Sequence, residues 1–91
     1  MSIAVHLPAV LSRLANGQRV LELEGATVGD VVNDAARCYP QLAGRLRDEE
    51  GQPYAFVTFY LNDEDIRLGN GFGTPVKDGD ELTLVPAIAG G

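Results

Sequence analysis

The stretch Thr27–Pro40, TVGDVVNDAARCYP, decides the fold. Val28, Val31, Val32, Ala35, Ala36 and Tyr39 recur at i, i+3, i+4, i+7, i+8 and i+11, so a helix gathers them on one apolar stripe. Thr27 stands where an N-cap belongs, and Asp30 three residues on approximates a capping box. Pro40 stops the segment, because its ring removes a donor and clashes with the preceding turn. A single stripe of this kind has to be buried against something, and the sequence on both sides of it reads as strand.

Upstream, SIAVHL (2–7) puts Ile3, Val5 and Leu7 on one face and Ala4 and His6 on the other. Pro8 ends that strand, and AVLSRLANG (9–17) holds a turn or short helix closing on Asn16–Gly17. QRVLELEG (18–25) sets Arg19, Leu21 and Leu23 against Val20, Glu22 and Glu24, a second strand that pairs with the first. Downstream, QLAGRLRDEE (41–50) has room for another turn or two of helix, and DEEGQP (48–53) is a polar loop. YAFVTFYLN (54–62), aromatic and β-branched, is a strand that turns at Asn62–Asp63. DIRL (65–68) reads as a short edge strand, and GNGFG (69–73) as a glycine-rich connection. Asp78–Gly79 is a tight turn, and LTLVP (82–86) is the last strand.

The economical arrangement is an α+β fold, a mixed sheet of four to five strands covered on one face by one main helix. The first and last strands are the most apolar and belong in its middle. The chain would then leave the centre of the sheet, and PAIAGG (86–91) would project as a tail. We expect one domain over 1–91, with a folded body at 1–85 and a functional tail at 86–91.

A length of 91 residues suits one small domain. The net charge of −6 argues against a phosphate-binding surface, and so against nucleic acid and anionic lipid as partners. A protein with a basic docking face is the natural complement. The single cysteine, Cys38, excludes an internal disulfide. Pro8 interrupts an N-terminal stretch that has no basic start, unlike a signal peptide, and no apolar run approaches the ~20 residues of a membrane span. The expected location is the cytoplasm.

The ending VKDGDELTLVPAIAGG (76–91) resembles the C-terminal signature of the ThiS/MoaD sulfur-carrier family of ubiquitin-like β-grasp proteins. The shared features are the Asp78–Gly79–Asp80 turn, an apolar strand, a proline, small residues and Gly90–Gly91. YLNDEDIRL (60–68), with its Asn-Asp turn after the third strand, carries the same likeness; NDEDIR and LVPAIAGG together are most similar to CysO-type carriers. The resemblance implies a ubiquitin-like β-grasp fold in which the Gly91 carboxylate is the working group. It implies an E1-like enzyme that adenylates this carboxylate, with ATP consumed by that partner and no cofactor bound by the chain. A thiocarboxylate would follow, and a downstream synthase would accept its sulfur for cysteine or another metabolite; a metalloprotease releasing product would complete the set. The chain would be a cosubstrate, not an enzyme. Covalent attachment to lysines, or service as the small subunit of molybdopterin synthase, are the alternatives.

The residue chemistry agrees. A tail entering another protein's active site must be thin, and glycine lets backbone approach closely. Pro86 stiffens the root, while Ala87, Ile88, Ala89 and Gly90 offer small contacts to a partner. Phe72 either packs under its glycine-rich loop or offers a partner an apolar patch. Cys38 reads as a small buried hydrophobe, and His6 as a surface or satisfied residue. One His and one Cys do not make a zinc site, and Asp63–Glu64–Asp65 lacks calcium-loop spacing, so no metal site is expected. GNGFG is not a phosphate-binding glycine motif.

Overall fold

The helix read from Thr27–Pro40 forms and is capped as its sequence demands. The structure, a computed structural model, describes residues 2–86. Thr27 Oγ1 accepts from the Asp30 N–H at 3.1 Å, and Asp30 Oδ2 accepts in return from the Ala26 N–H at 3.3 Å. Gly25 makes this tight entry practicable: a Cβ there would sit 2.7 Å from the Asp30 Cβ and from the Val31 nitrogen. One turn further on, Asp34 Oδ2 accepts from the Glu24 N–H at 3.0 Å and ties the helix to the strand before it.

In chain order the elements are β1 (Ser2–His6), α1 (Ala9–Ser12), β2 (Val20–Glu24), α2 (Val28–Cys38), α3 (Ala43–Leu46), β3 (Val57–Leu61), β4 (Glu64–Asp65) and β5 (Glu81–Pro86). Short 3-10 turns follow α1, precede α3 and occupy Ile66–Leu68 and Gly71–Gly73. The sheet order is β2-β1-β5-β3-β4. β1 and β5 run parallel, and the other neighbours are antiparallel. The last strand is therefore the middle of the sheet, flanked by β1 and β3, as its apolar character requires.

Register follows from which side chains must meet α2. Ile3 lies opposite Leu23, Val5 opposite Leu21 and Leu82, and Phe59 opposite Leu84. All these face the helix, where Val28, Val31, Val32 and Ala35 complete the core. Leu42 and Leu46, from the segment after α2, are also fully buried and close the core's side. A large aliphatic side chain buried in this way contributes roughly 1.5–3 kcal/mol.

Three readings need correcting. β3 begins at Val57 rather than Tyr54. The edge strand is Glu64–Asp65, and Ile66–Leu68 winds into a 3-10 turn that buries Ile66. Cys38 is exposed, because it falls off the stripe that Ala35 and Tyr39 continue.

Candidate functional site

The residues read as the working tail, Ala87, Ile88, Ala89, Gly90 and Gly91, lie outside the described residues. The structure does place their root. Pro86 is half-buried and is the last residue of β5, paired with Val57 on β3. Proline donates no ladder hydrogen bond. On its other side the β1 ladder has already ended, at the pair His6–Thr83. The missing N–H therefore falls where β5 has lost one neighbour.

The other end of β5 is anchored by a polar clamp. Gly79 takes φ +90°, and the Asp80 N–H closes the turn on the Lys77 carbonyl at 3.0 Å. Asp80, 8 % exposed, accepts from the Lys77 N–H at 2.9 Å and from Asn62 Nδ2 at 3.0 Å. Asn62 in turn accepts from the Glu81 N–H at 3.0 Å, and its own N–H donates to the Glu81 carbonyl at 2.9 Å. These bonds hold the Asp80 carboxyl below the usual carboxylate range, the backbone N–H of Lys77 most and the Asn62 amide next. Ser2 joins the same end: its N–H donates to Asp78 at 2.9 Å, and its carbonyl accepts from the Gly79 N–H at 3.1 Å. The start of β5 is thus set by the side chains of Asn62, Asp78 and Asp80 and by the backbone of Ser2.

Among the described residues, no helix covers the sheet face away from α2. Val20, His6, Thr83 and Tyr60 form one row across it by register. His6 Nε2 meets Glu81 Oε1 at 2.8 Å, so this histidine is a satisfied surface residue. Val20, Phe56 and Val85 are 48, 53 and 41 % exposed, and Glu22, Glu24 and Glu81 are also exposed. Phe56 immediately precedes the Val57 that pairs with Pro86. Val85, the residue before Pro86, thus brings an exposed apolar side chain to a face that also carries Val20 and exposed glutamates, a combination suited to docking a basic protein face. Phe72 is elsewhere. It packs edge-on against Phe59, with centroids 5.4 Å apart, and its carbonyl oxygen would be 3.0 Å from a Cβ on Gly29. It walls an open hollow of about 450 Å³ beside Gly29, Asn33 and Arg47.

Among the described residues, the arrangement positions the root of the chain's last segment, Pro86, at the end of the central strand. Among the described residues, no three His, Cys, Asp or Glu are placed to hold a metal ion. Nor is any helix among them long and apolar enough to cross a membrane. Sequence reading missed Phe56 and the Asn62–Asp80 clamp. Alternation from Leu82 and Leu84 already turns Val85 outward, but nothing local signals a bond between residues 18 positions apart.

Comparison with known proteins agrees with this geometry. The family model described as the ThiS family matches residues 5–91. The chain is 38% identical to the sulfur carrier protein CysO of Mycobacterium tuberculosis, over 100% of both chains. It superposes with TM-score 0.90 and 38% identity on a chain of the Amycolatopsis orientalis BexX/CysO complex, covering 98% of this chain and 99% of that one. Small archaeal modifier protein 1 of Haloferax volcanii gives TM-score 0.83 at 30% identity, over 100% of both chains. The five-stranded sheet grasping α2 is the ubiquitin-like β-grasp fold shared by these proteins.

Proposed function

The chain belongs to the ThiS family, and on that premise we propose that it is a sulfur carrier whose Gly91 carboxylate is the site of chemistry. The observation that carries the reading is the end-to-end likeness to a CysO sulfur carrier, together with Gly90–Gly91 at the close of the matched region. A carboxylate is a poor electrophile. An E1-like partner would join it to the α-phosphate of ATP and release pyrophosphate. A sulfide equivalent from a donor would then attack the acyl carbon and expel AMP, leaving the thiocarboxylate. A synthase would take the sulfur from there.

The chain's own part is to deliver the terminus. β5, gripped on both sides, fixes where Pro86 stands, and the open face with Val20 and Val85 supports docking beside it. A narrow run of Ala, Ile and Gly then spans from the docked body to the reacting centre. In this reading the protein is a cosubstrate working in the cytoplasm. The name of the matched complex supports a search for a sulfur-transfer partner of the BexX kind.

Mass spectrometry of the protein from its own cells tests this. One sulfur in place of one oxygen at Gly91 is the expected change. An unmodified terminus in cells grown under sulfur demand would sink the reading. The likeness to small archaeal modifier protein 1 favours one second reading, isopeptide attachment of Gly91 to lysines. That chemistry would appear in the same experiment as lysines of other proteins carrying the chain.

A further inference from the structure

We propose that the hollow between α1 and α3 receives an acidic side chain carried on an apolar segment of a partner protein. The sequence sets this part of the chain apart. Residues 7–19 and 39–47 hold four of the seven basic residues, Arg13, Arg19, Arg45 and Arg47, and no acid, although the whole chain stands at −6. Leu11 on α1 and Leu46 on α3 are buried in the core, and the 3-10 turn after α1 touches the one before α3. Between these elements is an open hollow of about 300 Å³ lined by Val10, Leu11, Arg13, Leu14 and Arg45. Val10 is 51 % exposed. Arg37 and Arg67 are paired with Asp34 and Asp65, Arg47 donates to Asn33, and Arg19 Nε donates to the Leu7 carbonyl at 3.0 Å. Arg13 and Arg45 are exposed and make no ion pair among the described residues.

Two guanidiniums beside an apolar floor fit a carboxylate with an apolar neighbour. The planar fork of arginine matches the two carboxylate oxygens. Val10 and Leu14 would cover the aliphatic side chain next to it. A single carboxylate on a peptide suits the molecule better than a polyanion does. The connection from β3 to β5 carries Asp63, Glu64, Asp65, Asp78 and Asp80, and their field repels an extended run of phosphates. Position matters as well. β1 and β5 are parallel and His6 pairs with Thr83, so the chain leading into α1 and Pro86 leave the sheet at the same end. A partner segment seated in the hollow therefore lies at the end where the last segment begins. The uncovered sheet face, with its glutamates, suits a basic surface, and the hollow offers the opposite charge. This contact adds to the proposed function and does not depend on it.

The test is a backbone and methyl NMR titration of the whole chain with acetyl-leucyl-glutamyl amide, with acetyl-leucyl-glutaminyl amide as the matched neutral control. The glutamyl probe should give saturable shifts at Val10, Leu11, Leu14 and the Arg45 N–H. Arg13→Gln and Arg45→Gln should each weaken its binding about threefold, and the glutaminyl probe, which loses both partners, should bind about tenfold more weakly. No saturable shift, an equal response to the glutaminyl probe, or unchanged binding by both variants would overturn the proposal. So would inorganic phosphate that moves the same signals at the same concentration, since the hollow would then take any anion. Two other results would overturn it by naming another occupant. Signals that shift when Gly91 is amidated in the free protein would name the chain's own terminus. Signals that move with protein concentration, and cease to do so in Glu49→Gln, would name a second copy. No enzyme or ATP enters the assay, so its outcome is independent of whether Gly91 carries sulfur.

Discussion

A methyl group at Gly25 has nowhere to go. It would lie 2.7 Å from the Asp30 Cβ and from the Val31 backbone nitrogen, the two groups that build the start of α2. Gly25→Ala should therefore displace the cap and cost about 1–3 kcal/mol, as overpacking does. Urea unfolding measures it, and a loss below half a kcal/mol, by ~0.5 as the ordinary surface change, would show that the entry to the helix relaxes freely. At the other end of the chain a methyl group asks a different question. Gly91→Ala places it on the carbon next to the proposed reacting carboxylate. Single-turnover adenylation should slow about 100-fold, the scale of a misplaced reacting centre. Binding to the proposed activating enzyme should weaken by only about 1–2 kcal/mol, since the rest of the proposed interface remains. The reverse pattern, lost affinity with unchanged chemistry, would make Gly91 a docking residue.

At the scale of elements, β5 depends on the clamp at its start. Asp80→Ala leaves the Asn62 amide and the Lys77 N–H without their acceptor, and should cost about 1–3 kcal/mol. The same carboxyl gives the fold an acid limit. Its folded-state pKa is lowered, so its contribution is present above the unfolded value, about 3.9, and fades as pH falls through the lower folded value. Asp80→Asn should flatten this part of the stability-versus-pH curve; an acid limb as steep as in the wild type would place the dependence elsewhere. The clamp also marks where sequence reading stops. α2 was legible because its signals are local: an N-cap, a 3.6-residue stripe and a terminating proline. The place of β5 in the middle of the sheet followed from its apolar run. The start of β3 was read three residues early, because Tyr54–Phe56 have strand-like composition while nothing local shows where the partner strand ends. DIRL alternates in type, yet Ile66 turns into the core through a 3-10 turn that composition does not announce. At the site, the tail was read as a motif, and it lies outside the described residues. The surface around its root was not, since exposure at Phe56 arises from the arrangement of strands distant in sequence.

For the whole molecule, charge sets the approach to partners. With 13 acidic against 7 basic residues, the chain should meet a basic face faster than diffusion of neutral partners would allow. Association with the proposed activating enzyme, followed by stopped flow, should slow as salt rises from low ionic strength, while dissociation changes little. An association rate indifferent to salt would remove electrostatic steering from the account.

The parallel pairing of β1 and β5 also has a mechanical consequence. A pull on the chain beyond Pro86 runs along the axis of β5, whose hydrogen bonds to β3 and β1 lie across that axis. The load falls on five register pairs with β3 and three with β1 at once, in shear. A terminal hairpin would instead peel apart one bond at a time. If the proposed function holds, the handle offered to a partner is thus fastened to the central strand, and a terminus drawn into a cleft would load the body behind it in shear.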